Sequence, residues 1–157
     1  MSREILLIPG FTSPAWLLWP LKRYLRRRFP LVTTWDSRHL FEDPEHAAGR
    51  LAERLAEGRP KALVAHSFGD CISRAALMQT DLRHVLQFIS ICPVAAPVPV
   101  ARLLRHCGLA VTAELRAMAE GLATANLQLP EALDHRVYWA RHEWLIAKAN
   151  NYPGPNA

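Results

Sequence analysis

None of the three cysteines in this chain of 157 residues stands in a C-x-x-C pair. Cys71, Cys92 and Cys107 are an odd set at wide spacing, which argues against a disulfide framework and a zinc site and predicts a reducing compartment. Long apolar runs are missing too: no segment approaches the ~20 uninterrupted apolar residues of a membrane span. The opening "MSREILLIPG" contains Glu4 and too short an apolar run for a signal peptide, so a cytoplasmic location is expected. There is no low-complexity tract and no repeat at a solenoid or propeller period. What is present is ordinary for a soluble globular protein, with 50% hydrophobic and 21% charged residues. The length predicts a single domain, residues 1–157, built on one core.

The net charge of +5 invites a nucleic-acid reading, but its distribution opposes one. In "LKRYLRRR", Lys22, Arg23, Arg26, Arg27 and Arg28 alternate with Leu21, Tyr24 and Leu25. That is the pattern of a helix with one buried and one solvated face. No aromatic interleaving and no nucleic-acid motif supports a polyanion site, so no nucleic-acid partner is expected.

Five short runs read as strands: "EILLIP" (4–9), "LVTTWD" (31–36), "KALVAH" (61–66), "HVLQFISIC" (84–92) and "HRVYWAR" (135–141). Helical patterns lie between them. Ser13-Pro14 and Asp43-Pro44 are cap-plus-proline starts, and Pro20 predicts a kink or a delayed start in the first helix. Ala47, Leu51 and Leu55 mark one face of the second helix, and a third runs through "CISRAALMQ". Strands that are almost wholly apolar, alternating with helices, predict an α/β fold: a mostly parallel, doubly wound sheet with helices on both faces. Residues 93–134 break the rhythm with prolines, then Leu109, Leu115, Met118 and Leu122 at helical spacing, and read as a helical excursion over the sheet edge.

Ser67 lies in "KALVAHSFGD", between the third strand and the helix after it. In a parallel sheet that turn is at the carboxyl edge, where ligands bind. A turn tight enough to project the hydroxyl needs small residues two before and two after, and Ala65 and Gly69 stand there. A serine N-cap on a βα loop would suit the same residues. A second feature favours the catalytic reading: "LLIPGF" puts Phe11 after the first strand, so the N–H groups of Phe11 and Phe68 are placed by chain order to receive an oxyanion.

With "ILLIPGF", "ALVAHSFGD" and "VLQFISICP" in this order, the chain resembles the α/β-hydrolase superfamily over most of its length. The Ala-His-Ser-x-Gly form is similar to that of small bacterial lipases. The resemblance implies a serine nucleophile followed by an acid and a histidine. It puts the acid after the next-to-last strand, where Glu143 stands in "VYWARHEWLIAK"; Asp134 lies before the strand and fits less well. An ordinary solvated glutamate would also suit position 143. The histidine has no counterpart beyond Glu143, and the tail "NNYPGPNA" reads as a loop that should lead into another strand, so the fold is expected to be C-terminally short, a hydrolase cut short. His66 is expected to be structural, and His39, His46, His84, His106, His135 and His142 offer no good replacement. "RHEWL" lacks the second histidine of a zincin, and neither metal nor cofactor is expected.

The implied function is a serine hydrolase acting on carboxylic esters through Ser67, assisted by Glu143. Phe11, Phe68, Trp16 and Trp144 favour a small apolar ester, with Trp16 and Trp144 as substrate-binding residues. Two rivals stand beside it. One is a catalytically dead or truncated hydrolase-fold binding protein; the other is a chain that self-associates through the sheet edge left open after the fifth strand.

Overall fold

The computed structural model describes residues 3–10, 15–35, 42–94, 98–110, 112–120 and 129–139. Five parallel strands form one sheet: β1 (Glu4–Ile8), β2 (Leu31–Thr34), β3 (Lys61–His66), β4 (Val85–Ile91) and β5 (His135–Tyr138), in the order β2-β1-β3-β4-β5. The register is unbroken between β1 and β3, from Glu4 against Lys61 to Ile8 against Ala65. An irregularity at Lys61/Ala62 shifts the pairing at the start of β4.

Alternation along β1 sorts its side chains into two cores. Ile5 and Leu7 meet Val32 and Val64 on one face, where Leu18, Leu21 and Leu25 pack against them. Those leucines come from a 3-10 turn (Ala15–Leu18) and α1 (Trp19–Leu25). Leu6 and Ile8 face the larger core with Leu51, Leu55, Leu63, Ala65, Phe68 and Phe88. α2 (Pro44–Ala56) and α3 (Phe68–Leu77) cover that face, joined by Ala101 of α4 (Pro99–His106) and Met118 and Ala119 of α5 (Ala113–Glu120). Burying Leu51 and Leu55 completely contributes about 2 kcal/mol each by area removed from water.

The sequence-derived strands sit where expected: β3 matches its run end to end, and the other four are shorter than theirs. Asp43 caps α2 by accepting a hydrogen bond from the Glu45 N–H at 2.8 Å, with Pro44 in the first turn. The first α-helix starts late, the second of the two outcomes expected from Pro20. Ser13 and Pro14 lie outside the described residues, and Pro20 occupies the first turn of α1 instead of kinking a longer helix, where its missing N–H costs no intrahelical bond. α3 begins at Phe68, three residues ahead of "CISRAALMQ". Leu109 is exposed beyond the end of α4, so it is not part of a helical face; Leu122 lies outside the described residues.

Burial on both faces holds for β1 and β3 but not for β4, where Leu86 is exposed and Gln87, Ile89 and Ile91 are half-buried. Among the described residues, no helix is long and apolar enough to cross a membrane.

Candidate active site

The crossover after β1 goes to the face of Leu21 and Leu25, whereas α3 leaves β3 toward the opposite face. Neighbouring parallel strands whose connections diverge leave a crevice between their carboxyl ends. Ser67 stands in that crevice. Its backbone is held at φ 53 and ψ −123, a left-handed conformation that costs a residue other than glycine about 1–3 kcal/mol. Surrounding bonds hold it there: the Ser67 N–H donates to the Ile91 carbonyl at 2.9 Å, and the Ser67 carbonyl accepts from the Asp70 N–H at 3.0 Å. Phe68 opens α3, and its N–H is among those with no partner inside the helix.

Two glycines allow the turn to be this tight. A Cβ on Gly69 would come 2.4 Å from the Pro9 carbonyl oxygen and 2.8 Å from that of Ile8. A Cβ on Gly10 would lie 2.8 Å from the Ser67 Cβ. The ends of β1 and β3 are therefore in backbone contact, with the serine at the seam. Cys92, the other described residue besides glycine with positive φ, sits at the same edge with φ 46; its N–H donates to the Tyr138 carbonyl at 2.8 Å, tying β4 to β5.

A buried polar cluster, which the local sequence pattern does not mark as buried, lies under this edge. Asp70 and Arg74, one turn apart on α3 and both 0% exposed, pair at 2.9 Å through Arg74 Nε. The Ser90 hydroxyl of β4 donates to the other Asp70 oxygen. His135 Nε2, on β5, lies 2.9 Å from the Ser90 Oγ. Arg74 Nη2, which can only donate, lies 3.4 Å from the same ring nitrogen. The ring stacks on Phe88 with centroids 4.9 Å apart, and the Arg74 guanidinium lies 5.8 Å from the Phe88 centroid. Burial, and then the neighbouring Arg74 charge, lower the His135 pKa to about 4, against a weaker upward pull from Asp134. His135 is thus neutral at ordinary pH. The cluster links α3, β4 and β5 and fixes the helix that begins at Phe68. An i,i+4 Asp-Arg pair is a visible signal, but such pairs usually lie on a solvated face, and only packing reveals this one as buried.

Several solved structures share this fold. A Bacillus licheniformis lipase, BlEst2 in its mature form, superposes with a TM-score of 0.64 at 16% identity over 78% of this chain and 56% of its own. The Pseudomonas putida S16 deformylase Nfo gives 0.65 at 18% identity over 94% and 77%. A lipase-esterase related protein from Clostridium acetobutylicum gives 0.64 at 10% over 88% and 85%. The chain has the α/β-hydrolase fold. It spans little more than half the length of the mature Bacillus lipase. No protein-family model matches the sequence, and no curated protein does.

Within the α/β-hydrolase fold, the candidate residues are distributed unevenly. Ser67 and Phe68 meet at the carboxyl edge, beside Gly10. Trp16 is exposed on the 3-10 turn after β1. Phe11, Glu143, Trp144, His39 and His142 lie outside the described residues. Asp134 precedes β5 and accepts a hydrogen bond from Gln87 Nε2 at 2.6 Å. His135 pairs in register with Phe88, three residues before Ile91, so it sits about 10 Å along the sheet from the Ser67 edge. His46 lies 3.2 Å from Glu42, and His106 ends α4. Among the described residues, no group that could hold a metal ion occurs.

Proposed function

We propose that the chain is a serine hydrolase acting on carboxylic esters, with Ser67 as the nucleophile. The observation that carries this reading is the strained Ser67 backbone at the seam between β1 and β3, where a hydroxyl stands at the start of a helix. Strain at a residue other than glycine is retained only where the surroundings over-determine it, and such residues cluster at reactive sites. In the proposed reaction Ser67 Oγ attacks the ester carbonyl carbon while its proton passes to a base. The carbonyl oxygen becomes an oxyanion received by the N–H groups of Phe68 and Phe11, aided by the positive end of α3. Collapse expels the alcohol and leaves an acyl-serine, which water then cleaves. Glu143 takes the place of the acid that orients the base, and Trp16 and Trp144 would contact an apolar acyl or alkoxy group.

Labelling with a fluorophosphonate, read by intact mass, tests the proposal. A stoichiometric adduct that disappears in Ser67→Ala is the expected result; no adduct on the folded chain overturns it and leaves a binding protein. If the adduct forms, glutamine in place of each of the seven histidines in turn, labelled in parallel, tests which of them serves as the base.

A further inference from the structure

The first crossover turns an unusual surface outward. α1 packs through Leu21 and Leu25, and its other side carries Trp19, Lys22 and Arg23, continued by Arg26 and Arg27. These five residues line an open groove of about 420 Å³ that contains no carboxylate. Among the described residues, none of the four cations is paired with an acid; Arg23 lies over the Trp19 ring at 5.5 Å and Arg26 reaches the Val32 carbonyl at 3.3 Å. Just ahead of the groove, Trp16 is 71% and Leu17 48% exposed, and Trp19 is 58% exposed. An indole and an aliphatic side chain left in water beside a block of positive charge call for a partner that is anionic on its surface and apolar beneath.

We infer that this face, Trp16 and Leu17 with the groove of Trp19, Lys22, Arg23, Arg26 and Arg27, docks on the anionic surface of a phospholipid bilayer. The cations meet lipid phosphates, and the indoles and Leu17 enter the boundary between headgroups and acyl chains. A nucleic acid would satisfy the charges but gives Leu17 nothing to bury against, and one face of Trp19 is already covered by Arg23 instead of being open for a base. The crossover starts at the carboxyl end of β1 and returns to the start of β2, so Trp16 and Leu17 are the part of this face nearer the Ser67 edge and Arg26 the part nearer the amino edge. The inference does not depend on the hydrolytic reading, because binding can be measured with Ser67 replaced.

Flotation of the full chain, as Ser67→Ala, with vesicles of phosphatidylglycerol in phosphatidylcholine tests it, beside phosphatidylcholine alone and a short duplex DNA. Binding to the anionic vesicles and not to phosphatidylcholine alone is expected, weakening as salt is raised. Arg23→Gln/Arg27→Gln should lower the affinity about 25-fold, from roughly fivefold per cation. Trp16→Ser/Leu17→Ser should weaken vesicle binding and leave any DNA binding unchanged. No binding to the anionic vesicles, or full binding by Trp16→Ser/Leu17→Ser, would overturn the inference. So would tighter binding to the DNA, which would make the face a polyanion site.

Discussion

Lowering the pH from about 7.5 to about 5 should destabilise the protein by about 2 kcal/mol through His135 alone. His135 is 4% exposed, its Nε2 lies 2.9 Å from Ser90 Oγ, and its pKa is lowered to about 4 by burial and by Arg74. In the unfolded chain the same ring titrates near the ordinary 6.5. Above the unfolded value neither state holds the proton, so His135 adds no pH dependence there. As the pH falls below it, the unfolded chain takes up a proton that the folded chain refuses. Stability is therefore lost progressively and levels off only below pH 4, after a loss of about 3 kcal/mol. Urea unfolding of the wild type and of His135→Gln, followed across this pH range, measures the effect as a difference in slope. Glutamine can still hydrogen-bond to Ser90 but cannot titrate, so its stability should fall less by the stated amount. Parallel losses in the two proteins would refute the assignment of a neutral, buried His135.

Gly69→Ala should cost about 3 kcal/mol, because its Cβ would meet two backbone carbonyls that can move only by parting β1 from α3. Gly49→Ala is the control: the nearest atom is the Gln79 Oε1 at 3.9 Å, and in the interior of α2 alanine should stabilise by about 0.5–1 kcal/mol in the same melt. Ser67→Gly should raise stability by about 1 kcal/mol, since release of the strain at φ 53 exceeds the added freedom of the unfolded chain; a loss on chemical unfolding would show that the turn is relaxed. Arg74→Met should cost about 3–5 kcal/mol by stranding the Asp70 carboxylate, and Asp70→Leu/Arg74→Met should recover at least half of it. Equal stability of the single and double variants would remove the ion pair from the account of this core.

Much of the framework was legible from local pattern. Inside their polar end residues Glu4, Lys61 and His66, β1 and β3 are apolar because they lie toward the centre of the sheet, and that burial leaves its mark on each residue between. Asp43-Pro44 announced the start of α2, and Ala65, Ser67 and Gly69 announced the tight turn, because caps and turns depend on residues a few places apart. The ends of the elements were less legible: Pro20 and Leu109 carry helical signals whose outcome depends on where the chain is pulled away.

The sequence by itself determined the alternation of strands and helices, the parallel sheet and the place of Ser67 at its carboxyl edge, since each is written in neighbouring residues. The tertiary structure decided what distant residues do to one another. It set Gly10 and Gly69 against Ser67 and the ends of β1. It joined Asp70, Arg74, Ser90 and His135 into one buried cluster from three elements, and gathered Trp19 with four cations around a single groove. Burial and charge at each of these places are sums over contacts between residues far apart in the chain, and local pattern does not contain them.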